Sequence, residues 1–145
     1  MLSDASQGRL HVIQGDILEA SSSSLVSSVD EQLGAKGGAL RLVGNLPFNV
    51  ATPLIIMWLR MLSYRRGIFA PGRDVSMTLM FQKEVAERLV APPRTGQRGR
   101  ISILAQHLCH VQNVYDVPGT AFVPRPQVTA TVVNLIPKPK PNIGT

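Results

Sequence analysis

Ala39-Leu40-Arg41-Leu42-Val43-Gly44-Asn45-Leu46-Pro47-Phe48-Asn49-Val50-Ala51-Thr52-Pro53-Leu54 is the stretch on which the fold turns. Its first five residues are apolar apart from Arg41 and stop at Gly44, the pattern of a buried strand running into a loop. A helix is expected to start at Thr52-Pro53, because threonine can cap and proline at the first helical position loses no needed hydrogen bond. Leu54, Ile55, Trp58, Leu59 and Leu62 then recur on one helical face. Strand, short loop and amphipathic helix are the parts of an α/β chain.

The pattern continues downstream. Val75, Met77, Leu79 and Phe81 alternate with Ser76, Thr78, Met80 and Gln82, which predicts a strand over 75–82. A basic loop over 64–72 contains Arg65, Arg66 and Pro71. A short helix is expected over 84–90, stopped by Pro92-Pro93, then a Gly/Arg loop over 94–100 and a helix over 101–110. Strands over 111–117 and 128–136 close the order as an antiparallel, hairpin-like pair. Upstream, Leu10-His11-Val12-Ile13 reads as a buried strand halted by Gly15-Asp16. Residues 20–38, with four consecutive serines and Gly34, Gly37 and Gly38, read as a weak helix or a long surface connection. In open α/β sheets ligands bind beyond the carboxyl ends of strands. Gly15-Asp16, Gly44-Asn45 and Gln82-Lys83-Glu84 all fall at such ends, so the polar loops are expected on one rim.

Composition narrows the class. The chain has 145 residues, 44% hydrophobic and 17% charged, which fits one folded domain, or most of one, and not a disordered segment. The longest apolar segment, over 50–62, is broken by Thr52, Pro53 and Arg60 and is far short of the roughly 20 residues a membrane span needs. A single cysteine, Cys109, excludes an internal disulfide framework and fits a reducing compartment. His107 and His110 flank it, but three ligands on one helical turn cannot surround an ion, so no metal site is expected. Charge is uneven. Residues 1–32 hold one arginine against five acids, whereas 33–145 hold fourteen Lys/Arg against four acids. Such a field suits a polyanion and makes binding salt-dependent. Neither a secretory signal nor an Arg-rich amphipathic leader is visible in the first residues.

The Asn45-Leu46-Pro47-Phe48 loop suits a planar nitrogen base. An amide oxygen and a carbonyl of a proline-stiffened turn can both accept hydrogen bonds from an exocyclic amine, and Phe48 can stack on the ring.

Four ordered motifs carry a resemblance: Gly15-Asp16-Ile17, Gly44 through Leu54, Phe81-Gln82-Lys83-Glu84-Val85-Ala86-Glu87-Arg88-Leu89, and Ala121-Phe122-Val123-Pro124-Arg125-Pro126-Gln127-Val128. Over about residues 9–137 the chain resembles the small-subunit rRNA adenine N6-dimethyltransferases. Phe48 and the segment 53–59 are most similar to the mitochondrial branch, whose members are also described as mitochondrial transcription factors.

The resemblance implies a Rossmann-like S-adenosylmethionine-dependent methyltransferase sheet, here the family's strands 3 to 7. It implies a partial catalytic domain over 1–137 and a Pro/Lys tail over 138–145 that leads to an absent helical C-terminal domain. It implies a mitochondrial location, with two adjacent adenines of a small-subunit rRNA hairpin as acceptors and mitochondrial DNA or the transcription machinery as further candidate partners. By motif, Asp16 would bind the cofactor adenine amine, with Ile17 beside it, and Asn45 would lie between cofactor and target. Leu46 and Pro47 would supply the backbone acceptor, and Phe48 and Phe122 would sandwich the flipped adenine. The arginines at 65, 66, 73, 94, 98 and 100 are candidates for RNA phosphates. The family's glycine-rich cofactor loop and second-strand acid have no counterpart here. Residues 1–38 are therefore expected to pack poorly or pair non-natively, and the chain to bind S-adenosylmethionine weakly or not at all. Alternatives are a noncatalytic nucleic-acid-binding or transcription-accessory protein, an inactive fragment, and a resistance methyltransferase of large-subunit rRNA.

Overall fold

The computed structural model describes residues 10, 12–20, 24–33, 38–118 and 129–139. Helices α1 (Ile17–Ala20) and α2 (Ser24–Leu33) precede strand β1 (Ala39–Gly44), helix α3 (Phe48–Ser63) and strand β2 (Asp74–Gln82). Helices α4 (Lys83–Leu89) and α5 (Arg100–Leu108) follow, then strands β3 (Cys109–Val117) and β4 (Ala130–Pro137). The four strands make one mixed sheet in the order β1-β2-β4-β3. β1 and β2 are parallel, with Leu42 opposite Met77, and β4 lies antiparallel between β2 and β3. A parallel pair requires a crossover, which α3 supplies.

One sheet face carries the core. Val75, Met77, Leu79 and Phe81 are all buried, and Leu42, Val133 and Leu135 join them from the neighbouring strands. Leu54, Ile55, Trp58, Leu59 and Leu62 of α3 bury the stripe that their spacing predicts, together with Ala86, Leu89, Ala105 and Leu108 of α4 and α5. Each of the buried Val, Leu, Ile, Met and Phe side chains contributes about 1.5–3 kcal/mol of burial. On the other face, Thr78 Oγ1 reaches Asn134 Oδ1 at 3.3 Å, and Val43 is 80% exposed.

Several boundaries differ from expectation. α3 begins at Phe48 and not at Thr52, so Pro53 lies inside the helix. The reason is packing: Ala51 precedes Leu54 and Ile55 by three and four residues, shares their face and is buried. The Pro47 carbonyl starts the ladder, accepting the Val50 and Ala51 N–H groups at 2.9 and 3.0 Å. α5 ends at Leu108, so Cys109 and His110 belong to β3. Within 20–38, α2 packs against the short 3-10 turn Gly67–Phe69, and Val29 is buried.

The expected strand over 10–13 is not formed among the described residues. Residues 12–14 adopt no regular structure, and Val12 and Ile13 are 67% and 42% exposed. A strand is held by a neighbour's hydrogen bonds, and none of the four strands pairs there.

Candidate active site

β1 and β2 run parallel, so their carboxyl ends open on one rim. Gly44 lies opposite Leu79, and a Cβ there would stand 3.0 Å from Leu79 Cδ2 and 3.4 Å from Leu46 Cγ. Glycine is therefore what lets the chain leave the strand so close to β2. Leu46 turns inward against the core, Phe48 is half-buried as the first residue of α3, and Asn45 and Pro47 are exposed. The Asn45 side chain has no hydrogen-bond partner among the described residues. Of the two backbone carbonyls expected to accept from a base, that of Pro47 is committed to Val50 and Ala51. The Leu46 carbonyl accepts no bond among the described residues. The loop thus presents an amide and one free carbonyl beside an aromatic ring.

Asp16 stands before α1. Its Oδ1 accepts the Leu18 N–H at 2.9 Å, and its backbone carbonyl accepts those of Glu19 and Ala20 at 3.1 and 2.8 Å. The carboxylate is exposed, while Ile17 is half-buried against the core. α1 packs on α3, so the helix that begins with Phe48 also anchors the segment holding Asp16. Phe122 lies outside the described residues.

Further along the rim, the Lys83 N–H donates to the Thr129 carbonyl at 2.8 Å, and Lys83 Nζ pairs with Asp116 Oδ2 at 3.3 Å. The buried Thr131 hydroxyl donates to Asp116 Oδ1 at 2.8 Å. That hydrogen bond first, and then Lys83, hold the Asp116 carboxyl below the usual aspartate range. This cluster ties the ends of β2 and β3 to the start of β4. Sequence reading had no means of finding it, because Asp116 and Thr131 are unremarkable strand residues until the register brings them together.

The arginines divide into two groups. Arg41, Arg73 and Arg88 pair with Asp74, Asp30 and Glu84, while Arg65 and Arg98 donate to the carbonyls of Lys138 and Ala91. Arg60, Arg66, Arg94 and Arg100 form no ion pair or side-chain hydrogen bond among the described residues. Cys109 is buried, which pushes its thiol up to about 12, whereas His107 and His110 are exposed. No group of three His, Cys, Asp or Glu among the described residues could hold a metal ion.

Comparison with known proteins adds the family. The family described as Ribosomal RNA adenine dimethylase matches residues 1–143. The chain is 47% identical over 144 residues to mitochondrial dimethyladenosine transferase 1 of Bos taurus, covering 99% of this chain and 42% of that protein. It is 46% identical over 148 residues to the human protein of that name, covering 99% of this chain and 41% of that one. The chain therefore spans about two-fifths of the length of these relatives. Among solved structures, a dimethyladenosine transferase from Plasmodium falciparum matches with a TM-score of 0.56 and 32% identity, over 68% of this chain and 32% of that one. The 23S rRNA methyltransferase ErmE matches in fold, with a TM-score of 0.53 and 20% identity, over 85% of this chain and 52% of that one. The sheet, the rim loop at its parallel pair and these matches converge: the chain belongs to the ribosomal RNA adenine dimethylase family, on its mitochondrial dimethyladenosine transferase branch.

Proposed function

We propose that this chain carries the target-base side of a site that N6-dimethylates two adjacent adenines in a small-subunit rRNA hairpin, in mitochondria, with S-adenosylmethionine as donor. The observation that carries the reading is the pair of acceptors left without a partner among the described residues, the Asn45 amide oxygen and the Leu46 carbonyl, set beside Phe48 at the rim. An adenine N6 has two hydrogens and a lone pair delocalised into its ring. Two acceptors on those hydrogens favour a more tetrahedral nitrogen and free the lone pair to attack. Asn45, Leu46, Pro47 and Phe48 have no side chain that ionises near neutral pH, so their contribution is position and electrostatics.

The donor set fits the nucleoside part of S-adenosylmethionine. Asp16 keeps a carboxylate oxygen beyond the one that caps α1, which suits an adenine amine, and Ile17 offers an apolar flank. When bound, the cofactor supplies an electrophilic methyl group. Asn45, between these residues and the target, orients the accepting nitrogen. Phe122 is assigned to the opposite face of the base by its motif.

The test is methyl transfer to a hairpin RNA by the full-length protein. Asn45→Ala should lower kcat by on the order of 10²–10³, and Phe48→Ala should weaken RNA binding by about 1–3 kcal/mol. A wild-type rate for Asn45→Ala would sink the proposal, and retained RNA binding without methylation would favour a noncatalytic binding protein.

A further inference from the structure

Two grooves of about 420 Å³ meet along the outer side of α3. Ile56 and Arg60 line both. Tyr64 and Arg66 border the first, and Arg100 and Leu104 the second, so three guanidinium groups line this pair of adjoining grooves, a trough with no carboxylate among its described lining residues. They are three of the four arginines that form no ion pair or side-chain hydrogen bond among the described residues. Arg60, Arg66 and Arg100 are exposed and have no ion-pair or hydrogen-bond partner among the described residues, while five other arginines are tied to acids or carbonyls. Arg66 sits 5.1 Å above the Tyr64 ring, a cation–π contact at an exposed site. Arg94 also has no ion pair or side-chain hydrogen bond among the described residues but borders neither groove.

We propose that this trough is a second RNA contact, in which Arg60, Arg66 and Arg100 bind backbone phosphates of the hairpin stem while its loop adenine occupies the rim. The inference rests on the RNA-methylating reading above and adds to it the surface that holds the rest of the substrate. Arg60 lies twelve residues along α3 from Phe48, so at helical rise the two are about 18 Å apart. Unpaired, outward guanidinium groups are the groups that replace condensed counterions on a phosphate backbone. The apolar floor of Ile56, Met57 and Met61 could also receive an acidic amphipathic helix. The absence of any acid among the described lining residues and the shared helix with the base loop favour RNA.

The test uses the 145-residue chain and a fluorescein-labelled RNA hairpin with two adjacent loop adenines, with affinity measured over a range of salt. The triple variant Arg60→Gln, Arg66→Gln, Arg100→Gln should bind on the order of tenfold or more weakly at low salt, with its salt slope reduced by about two to three units. A charge-matched control, Arg41→Gln, Arg88→Gln, Arg94→Gln, should keep most of the slope. A hairpin with uracils in place of the loop adenines should keep the arginine-dependent slope, which supports the trough even where equal affinity for the two RNAs would sink the base clamp. Failure of the wild-type chain to bind the hairpin, or equal weakening by the two triple variants, overturns the proposal. So does unchanged RNA affinity in the first variant, and tight binding of a synthetic Leu/Glu helical peptide would then reassign the trough to a protein partner.

Discussion

Asn45, Leu46 and Pro47 show how far one residue's role depends on its neighbour's hydrogen bonds. The motif alone offers two backbone acceptors, and the helix start removes one of them, leaving the Leu46 carbonyl. Gly44 is the residue that permits this arrangement. Gly44→Ala should lower stability by about 1–3 kcal/mol through overpacking against Leu79; an unchanged urea midpoint would show that Leu79 yields freely. Asp116 gives a pH dependence whose sign is determined. Its folded carboxyl is held below its unfolded value, so the stabilisation is complete above the usual aspartate pKa of about 3.9 and is lost as pH falls through the lower folded value. Urea midpoints of the wild type and Asp116→Asn should therefore differ by a constant amount above about pH 5 and converge in acid. A difference that persists at the acid limit would assign the effect to packing. The motif residues stand out in the sequence because each carries distinctive chemistry. Asp116 and Thr131 were not, because fifteen residues separate two side chains that only strand pairing unites.

At the scale of elements, α3 is the informative case. Its apolar stripe is legible from spacing alone, since Leu54, Ile55, Trp58, Leu59 and Leu62 all reach the core. Its start is not, because Thr52-Pro53 satisfies a local capping rule while the buried Ala51 extends the packed face one turn earlier. Packing outweighs the local signal, at the cost of the hydrogen bond that the Asn49 carbonyl would otherwise receive from residue 53. Pro53→Ala should restore that bond and raise stability by about 1–2 kcal/mol, the gain being partly offset by a less restricted unfolded chain. Thermal unfolding measures it. A fall in midpoint would mean that the proline's rigidity, and not the lost bond, dominates. The strand over 75–82 was legible for the opposite reason, since its period of two agrees with the alternation of buried and half-buried residues along it. The strand expected over 10–13 shows the limit of such reading: a β-branched run states a preference, but a partner must realise it.

For the whole molecule, the sheet order β1-β2-β4-β3 leaves the outer edge of β1 without a strand among the described residues. The Arg41–Asp74 ion pair bridges β1 to β2 across the pair's exposed surface. Fold class and family were legible because four motifs fall in order along the chain. The sorting of the arginines was not, since the same residue type serves as internal brace or free cation according to whether a carboxylate or carbonyl lies within reach. That sorting gives α3 a second meaning. A single unbroken helix joins the loop that would hold one adenine to the trough that would hold the stem, and so fixes the distance between them. Such a helix acts as a ruler. An RNA with the right adenines but a stem that begins too near or too far could satisfy one end only, so the choice of substrate becomes a measurement of length before it is a reading of bases.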